Sequence, residues 1–397
     1  MKAQAFRSAS KPVSALLAVT VLFCLSVTPM LGQAAESQNP QSQSTTTQQA
    51  PPAAGGPQGD IGPLAIPKKK EQPPEEKPRP PKNPEGMPNF SIRKDVPVVN
   101  VPVTVLTKSG QFVPGLKEGN FKVLEDGVPQ KIATFTQSSD APITAVMLVE
   151  FAANSYSFMV DALNASYAFA DSLKKDDWIA VVSFDMKPHL LTDFTQDKRS
   201  VYGALNQLRI PGFRETNVFD ALYDTIDRLD GVEGRKYIIL ISTGRDTFSK
   251  LNYDQILKKV QATKDVTIFA VSTGEALRMW YEAHGSMNPE VSMALMDYLQ
   301  ADNEMNTFAK LTGGRWYKPR FEGELPEIFQ DIAANIRNQY NISYYPTNSK
   351  QDGTYRKLKV ELQAPNGGPL TIKDQKGKDV KVQVLARDGY RAKHEVE

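Results

Sequence analysis

The stretch TAVMLVEF, residues 144–151, is apolar along almost its whole length and contains one carboxylate, Glu150. Three later runs have the same texture: DWIAVVSF (177–184), KYIILIST (236–243) and VTIFAVST (266–273). Continuous apolar runs of this length, without alternation, are typical of strands that are buried on both faces of a parallel sheet. The four runs are therefore predicted to be strands of one such sheet.

Segments with helical periodicity fill the gaps between these strands. Apolar residues recur at three- and four-residue spacing in SFMVDALNASYAFADSL (157–173), VFDALYDTIDRL (218–229), YDQILKKVQAT (253–263) and LPEIFQDIAANIRNQY (325–340). This alternation predicts an α/β fold, with a doubly wound, mainly parallel sheet and helices on both faces.

In folds of this class, ligands bind beyond the carboxyl ends of the strands. Three loops are predicted to meet there: 150–156, 212–217 and 243–250. The candidate ligand-binding residues in these loops are Glu150, Asn154, Ser155, Arg214, Thr216, Thr243, Arg245 and Asp246.

Two stretches with β texture flank the α/β segment, which is assigned to residues 141–339. Residues 91–140 contain VPVVNVPVTVLT and two strands around an Asp126-Gly127 turn, and residues 340–397 contain TYRKLKVELQA and KDVKVQVLARDGY. Neither stretch is large enough to bury a core alone. The two are predicted to pair into one small β-sandwich that holds or flanks the α/β segment.

The N-terminus has the pattern of an export signal. Basic residues precede the apolar run VSALLAVTVLFCLSV, and small residues follow it, which predicts a signal peptide over residues 1–35 with cleavage near Ala34 or Ala35. An uncleaved anchor is the alternative, although the run is shorter than the ~20 residues that span a bilayer.

Residues 36–90 are predicted to be a disordered, proline-rich linker. Thirteen of the 28 prolines fall here, with too little apolar content to form a core. The segment either holds the folded body away from a surface or is a tail without a specific partner.

Composition excludes several classes of function. The net charge is +2, which gives no reason to expect nucleic acid as a partner. The one cysteine, Cys24, lies in the N-terminal apolar run, so no disulfide or cysteine metal site is expected elsewhere. The three histidines share no close spacing, which argues against a histidine metal site or a catalytic triad.

Several motifs carry a family resemblance. The runs NFKVLEDGVPQKIATF, MLVEF, RETNVFDALYDTIDRL, LISTGRDTFS and LTGGRWY follow one another in this order. Over roughly residues 141–340 the chain resembles the von Willebrand factor type A domain. From about 91 to 392 it is similar to the secreted bacterial family named for that domain, known especially from acidobacteria.

The resemblance implies a metal-ion-dependent adhesion site, which is built from an Asp-x-Ser-x-Ser run, a threonine and a second aspartate. The corresponding residues in this sequence are Glu150, Ala152, Asn154, Thr216 and Thr243. Only Thr216 matches the family pattern. Because Mg²⁺ needs hard oxygen ligands, the loss of one of two carboxylates predicts a degenerate site.

Three alternatives stay open for this edge. Ser155 and Asp246 are candidates to repair a metal site together with Glu150 and Thr216. The guanidinium of Arg245 or Arg214 is a candidate to replace the cation and pair with Glu150. Glu150 and Asp246 are also considered as the paired carboxylates of a hydrolase.

Two further features have simple structural interpretations. The insert at 275–306 is rich in methionine and is expected to pack on the domain, with an adaptable binding face as the alternative. The aspartates of the 218–229 helix and its end, Asp220, Asp224, Asp227 and Asp230, are expected to form its solvated face.

The sequence thus predicts an exported protein, periplasmic, cell-surface or secreted, that binds other proteins and has no enzymatic activity. No cofactor is expected, and Mg²⁺ is kept as an alternative. Neither nucleic-acid binding nor stable membrane insertion after signal cleavage is expected.

Overall fold

The computed structural model describes residues 98–138, 142–153, 163, 166–167, 169–284, 289–373 and 377–394. The predicted signal peptide (1–35) and linker (36–90) lie outside these residues. The first residues of the predicted β-segment, 91–97, lie outside them as well.

The strands of the described residues, in chain order, are β1 (Val99–Thr107), β2 (Phe121–Glu125), β3 (Val128–Gln130), β4 (Ile132–Ser138), β5 (Thr144–Glu150), β6 (Trp178–Phe184), β7 (Pro188–Thr195), β8 (Lys236–Ser242), β9 (Val266–Ser272), β10 (Trp316–Tyr317), β11 (Gln339–Tyr344), β12 (Tyr355–Leu362), β13 (Ile372–Lys373), β14 (Asp379–Val380), β15 (Val382–Ala386) and β16 (Gly389–Arg391). The helices are α1 (Lys198–Leu205), α2 (Val218–Leu229), α3 (Tyr253–Ala262), α4 (Glu275–His284), α5 (Pro289–Thr312) and α6 (Leu325–Arg337). Residues 169–172 are also helical and belong to the first predicted helix.

The predicted α/β fold is confirmed. The central sheet has the strand order β10-β9-β8-β5-β6-β7, and all neighbouring pairs are parallel except β6 and β7. The edge strand β7 was not predicted, because PHLLTDFT is only partly apolar and its residues are mostly half-buried. An antiparallel edge on a mainly parallel sheet is common.

Both faces of the central sheet are covered, which explains the continuous apolar runs. Odd-numbered β5 residues such as Met147 pack with α1, α6 and the helical residues near 169, whereas Val146 and Leu148 pack with α2, α3 and α5. All seven residues of β8 are buried. Side chains alternate between the two faces of a strand, so a strand with two buried faces must be apolar along most of its length, with polar residues such as Lys236 and Ser242 at its ends.

The flanking segments form two four-stranded antiparallel sheets, with the orders β15-β1-β11-β4 and β16-β12-β2-β3. Both sheets combine strands from before and after the α/β segment, and in the first sheet these strands alternate. The two sheets share one apolar cluster that includes Val103, Val123, Tyr340 and Val360. This is the small β-sandwich expected beside the α/β fold. The Asp126-Gly127 turn joins β2 to β3, with positive φ angles of 49° and 84°, as a tight two-residue hairpin requires.

Gly314 allows β9 and the chain entering β10 to approach each other closely. A Cβ at this position would lie 2.0 Å from the carbonyl oxygen of Ile268. Because that oxygen belongs to the backbone of β9, no side-chain rotation can relieve the contact. The TGG sequence before β10 is therefore required for packing.

We predict that Gly314→Ala lowers the free energy of unfolding by about 2 kcal/mol or more, because backbone atoms must move to accept the methyl group. Gly203→Ala is the matched control. Gly203 lies exposed in α1 with open space around its Cβ position, so alanine should stabilise the protein by about 0.5–1 kcal/mol. Urea unfolding of both variants measures the difference, and equal midpoints would contradict the packing argument.

The domain boundaries at 141 and 339 remain a prediction, and the strand pairing suggests how to test them. Strand β1 lies between β11 and β15, and β2 lies beside β12. Removal of residues 340–397 should therefore leave the amides of β1 and β2 without most of their ladder partners. We expect these amides to lose hydrogen-exchange protection, and protection equal to that of the full chain would show that the N-terminal strands fold without them.

Candidate functional site at the carboxyl edge of the central sheet

Glu150 is the last residue of β5, and its carboxylate is buried at the carboxyl edge of the sheet with 5% of the residue exposed. Oε2 accepts hydrogen bonds from Ser242 Oγ at 2.6 Å and from the Thr243 backbone N–H at 2.7 Å. The Thr243 hydroxyl lies 2.9 Å from Oε2 and 3.2 Å from Oε1. A buried carboxylate is stable when such donors surround it.

The sheet topology produces this arrangement. Strands β5 and β8 are parallel neighbours with Val149 opposite Ile241, so their carboxyl ends meet at the same level. Ser242 Oγ also accepts from the Gly244 N–H at 2.8 Å, which leaves its own proton for Glu150. Thr243 was recognised from the sequence as the replacement of an aspartate, but Ser242 was missed. The pair of hydroxyl residues at the end of β8 was the available signal.

Thr216, the residue that matches the family pattern, binds the neighbouring loop. Its hydroxyl donates to the Arg245 carbonyl oxygen, and its N–H donates to Thr247 Oγ1 at 2.9 Å. The Thr216 carbonyl accepts from the N–H groups of Thr247 and Phe248, both at 2.9 Å. Loops 212–217 and 243–250 are thus held together by hydrogen bonds within the protein.

Asp246 belongs to the 243–250 loop, and its carboxylate lies against the start of α2. Its Oδ1 accepts from Ser249 Oγ at 2.5 Å and from the Phe219 N–H at 3.3 Å. Burial raises the pKa of this carboxyl above its ordinary value, against the opposing effect of the hydrogen bonds from Ser249 and Phe219. Asp246 therefore carries an energetic cost when ionised.

Asp220 differs from its expected role as part of a solvated helix face. Its two carboxylate oxygens accept from the N–H groups of Lys250 and Leu251, each at 3.0 Å. Asp220 therefore fixes the end of the 243–250 loop onto α2. The other three aspartates form ion pairs with cations: Asp224 with Arg228, and Asp227 and Asp230 with Lys259.

The hypothesis that Arg245 pairs with Glu150 is wrong. The Arg245 guanidinium instead lies 3.2 Å from Asp297 Oδ2 and 5.0 Å from the ring centroid of Tyr298, both on α5. A cleft of about 440 Å³ separates this loop from α5. Arg214 is exposed in its own loop.

Asn154 and Ser155 lie outside the described residues, so the structure places neither of them relative to Glu150. Among the residues that the structure describes, no group of three or more His, Cys, Asp or Glu side chains has the spacing of a metal site. The described hydroxyl groups of the edge donate to protein oxygens: Thr243 to Glu150, and Thr216 to Arg245.

A buried ion-pair cluster attaches the methionine-rich insert beside this edge. Arg278 of α4 is fully buried and contacts Glu275 at 2.6 Å and Asp302 of α5 at 3.5 Å. Lys318, just after β10, lies 3.0 Å from Glu275 and 3.2 Å from Asp302. Since these charges are largely removed from water, loss of one partner would leave the others uncompensated.

The insert packs on the domain only in part. Met305 of α5 is buried, whereas Met293 and Met296 at its other end are 70% and 68% exposed. Met279 of α4 is 49% exposed, and Met287 lies outside the described residues. The expectation of simple packing therefore holds for Met305 and fails for the three exposed methionines.

Large apolar side chains are also exposed in or beside two of the edge loops. Phe213 of the 212–217 loop is 47% exposed, Phe248 of the 243–250 loop is 48% exposed, and Ile210 is 72% exposed. We define the apolar rim as Ile210, Phe213, Phe248, Met293 and Met296. The salt bridge from Arg245 to Asp297 connects the loop part of this rim to its helical part.

A model of the von Willebrand factor type A domain matches residues 152–300 of the chain. Among solved structures, a von Willebrand factor type A protein from Catenulispora acidiphila is 13% identical, with a TM-score of 0.39, 77% of this chain covered and 76% of that one. Proximal thread matrix protein 1 from the mussel byssus is 11% identical, with a TM-score of 0.38 and coverage of 51% and 49%; this chain thus spans about half of that protein. The von Willebrand domain of the pilus tip protein Mfa5 from Porphyromonas gingivalis is 12% identical, with a TM-score of 0.36 and coverage of 50% and 95%.

These structural similarities are too distant to carry an argument about function. No curated protein sequence matches the chain. The family match and the strand order therefore assign the fold of the central domain.

The two carboxylates of the edge should respond in opposite ways to amide substitution. Glu150→Gln replaces an acceptor oxygen by an NH₂ group that faces Ser242 and Thr243 donors, so we expect a loss of about 1–3 kcal/mol in the free energy of unfolding. Asp246→Asn keeps an oxygen for Ser249 and Phe219 and removes a buried charge. We expect its stability at pH 7 to equal or exceed that of the wild type.

The pH dependence of stability tests the prediction for Asp246→Asn. The pKa of Asp246 is higher in the folded state than in the unfolded state. Its contribution to the free energy of unfolding is therefore most favourable below the unfolded pKa, and it is lost as the pH rises through the folded pKa. The advantage of Asp246→Asn should therefore shrink as the pH falls through that window. Urea unfolding between pH 4 and 7, approximately the range in which a raised carboxyl titrates, measures both effects; an advantage that grows with acidity would contradict the assignment.

Proposed function

We propose that this chain is an exported protein-interaction module of the adhesion type, whose binding edge uses loop side chains in place of a shared metal ion. The observation that carries the proposal is the state of Glu150. The carboxylate that would hold a cation accepts hydrogen bonds from Ser242 and Thr243. The second carboxylate of a metal site is replaced by Thr243 itself.

Mg²⁺ binding at this edge would require changes in these hydrogen bonds. The ion needs several oxygen ligands in near-octahedral geometry and loses its own water reluctantly. To ligate the ion, Glu150 would have to lose hydrogen bonds from Ser242 and Thr243. The single carboxylate charge of Glu150 would then have to offset the cost of removing water from Mg²⁺. The edge is therefore proposed to be a degenerate adhesion site.

The apolar rim supports protein binding. Aromatic residues, methionine and arginine are enriched in the buried centres of protein interfaces. Phe213 and Phe248 supply aromatic groups, Met293 and Met296 supply adaptable side chains, and Arg245 lies between the two groups. Exposed apolar groups that gather around one edge favour a protein partner at that edge.

Export is proposed from the sequence of residues 1–35, and the role of a spacer from the proline content of residues 36–90. Within the described residues, no helix is long and apolar enough to cross a membrane. The narrower likeness to the secreted bacterial family stays a prediction.

Two other functions use the same residues. A repaired metal site would need Thr216 and Asp246 to turn from Arg245 and Ser249 toward a cation near Glu150. A hydrolase would need Glu150 as one of two reactive carboxylates, although the hydrogen bonds from Ser242 and Thr243 restrain it. Metal titration, partner capture with and without a chelator, and a substrate screen separate these functions from the proposed one.

We expect Mg²⁺ and Mn²⁺ to bind weakly or not at all to the wild type. Restoration of the family pattern by Glu150→Asp, Ala152→Ser, Asn154→Ser and Thr243→Asp should create affinity for Mg²⁺, because the second carboxylate returns. Calorimetry with each protein measures this. Micromolar binding by the wild type that Thr216→Ala abolishes would establish the metal-dependent alternative instead.

Binding of a protein partner should resist chelators and should depend on the apolar rim. Immobilised protein is incubated with a cell-envelope extract of the source organism, with and without EDTA, and the bound proteins are quantified by mass spectrometry. We expect Phe213→Ser with Phe248→Ser to lose proteins that the wild type captures in EDTA. Tyr345→Ser, which changes a 55% exposed side chain of the β-sandwich, is the matched control.

Capture that EDTA abolishes would assign the metal-dependent function. Capture that both sets of variants retain would place the interaction away from this edge. A screen of purified protein against carbohydrate substrates tests the hydrolase, for which Asp246→Asn should be inactive.

A further inference from the structure

A cavity of about 220 Å³ lies where the loop between α3 and β9 meets the β-sandwich. Basic side chains dominate its lining. They are Lys264, Lys350, Arg356, Arg387, Arg391 and Lys393. Among the residues that line the cavity, Asp265 is the one with a carboxylate. The lining therefore has a large excess of positive charge, although the whole chain is almost neutral.

Two of the arginines are held by neutral oxygens. Arg387 is buried, and it donates through Nε to the Gly389 carbonyl at 2.9 Å and through Nη2 to the Thr263 carbonyl at 3.2 Å. Arg391 donates to Gln261 Oε1 at 3.0 Å and to the Gly353 carbonyl at 3.3 Å. These bonds fix the position of each guanidinium without neutralising its charge.

Nearby carboxylates partly compensate the positive charge of Arg356. It is almost fully buried, with its Nη1 3.4 Å from Glu125 Oε1, and Glu125 also accepts from Tyr344 and Tyr390 hydroxyls. Asp352 lies 3.6 Å from the other end of the guanidinium. Within the described part of the chain, the buried Nε of Arg356 has no hydrogen-bond partner. Glu125 and Asp352 thus lie near Arg356, whereas Asp265 is the carboxylate that lines the cavity beside the other five basic residues.

Burial disfavours the charged form of two basic groups that line the cavity. Burial lowers the pKa of Lys264, and the nearby Lys393 lowers it further, against the effects of Asp230 and Asp265. Burial also lowers the pKa of Arg387. Both groups would gain stability from an anion placed among them.

We propose that this cavity binds a small molecule or group that carries a doubly charged oxyanion, of the phosphate or sulfate type or a compact dicarboxylate. Arginine guanidinium groups match such oxygens with paired, charge-assisted hydrogen bonds. Arg387 and Arg391 are preoriented by their carbonyl partners, and Lys264, Lys350 and Lys393 supply charge at the mouth.

This site joins parts of the chain that are distant in sequence. Lys264 precedes β9 of the α/β fold, whereas Lys350 and Arg391 belong to the β-sandwich. A bound oxyanion would therefore contact both and stabilise their packing. The site is separate from the carboxyl edge and does not depend on the function proposed for it.

The test is calorimetric titration of the full chain with sodium sulfate, inorganic phosphate and succinate, each against sodium chloride at matched ionic strength. We expect saturable binding of about one anion per chain, since the cavity is small, and a thermal midpoint that rises by about 3 °C near saturation. Binding of phosphate or sulfate without binding of succinate would identify the ligand as a tetrahedral oxyanion. Binding of succinate alone would identify it as a dicarboxylate.

Two variants and a control locate the binding. Arg391→Gln should weaken it by about tenfold, since a charge-assisted bond is lost. Lys350→Gln with Lys393→Gln changes two exposed residues, so it should fold normally and weaken binding by about three- to tenfold. Lys122→Gln with Lys359→Gln removes the same charge from exposed positions on β2 and β12 and should bind like the wild type.

The proposal is overturned if none of the three anions binds saturably beyond the effect of chloride. It is also overturned if the control variant loses as much affinity as Lys350→Gln with Lys393→Gln, because the effect would then come from the overall charge of the protein. Either result leaves the outcome of the partner-capture experiment at the carboxyl edge unaffected.

Discussion

Burial of both faces of the central sheet is the constraint on which the other features depend. Strand β8 is buried at every residue, and its one charged side chain, Lys236, lies at its first position and donates to the Val232 carbonyl oxygen. Polar chemistry is therefore confined to the ends of the strands. Because β5 and β8 are parallel neighbours, the loops after them lie side by side, which brings Glu150 next to Thr243.

At that edge, the same burial decides how Glu150 is stabilised. A carboxylate with little access to water needs either a cation or a set of hydrogen-bond donors. The chain supplies donors from Ser242 and Thr243, so the charge is stabilised within the protein. Burial raises the pKa of Asp246, although Ser249 and Phe219 donate hydrogen bonds to its carboxylate.

The sequence predicted those features that depend on a local pattern. The strands β5, β6, β8 and β9 follow from continuous apolar runs, and α2 follows from its helical period at the predicted residues. The partners of individual polar groups depend on which loops become neighbours, and no local pattern contains that information. The ion pair of Arg245 with Asp297 on α5 joins residues that are far apart in the chain, and it stands in place of the pairing with Glu150 that was one of the alternatives. Strand β7 was missed because an edge strand has one partner and does not need to be fully apolar.

The two flanks of the chain add a second kind of polar environment. Each sheet of the β-sandwich combines strands from before and after the α/β fold, and its last strand, β16, lies against the end of α3, where Arg391 contacts Gln261. Arg387, which lies between β15 and β16, and Arg391, the last residue of β16, donate to carbonyl and amide oxygens of the α/β fold or of the sandwich. Neutral acceptors hold these guanidinium groups without cancelling their charge. The carboxyl edge surrounds a buried carboxylate with neutral donors and leaves apolar side chains exposed. The local distribution of hydrogen-bond donors and acceptors therefore makes one surface suited to proteins and one cavity suited to anions. The net charge of +2 does not reveal this difference.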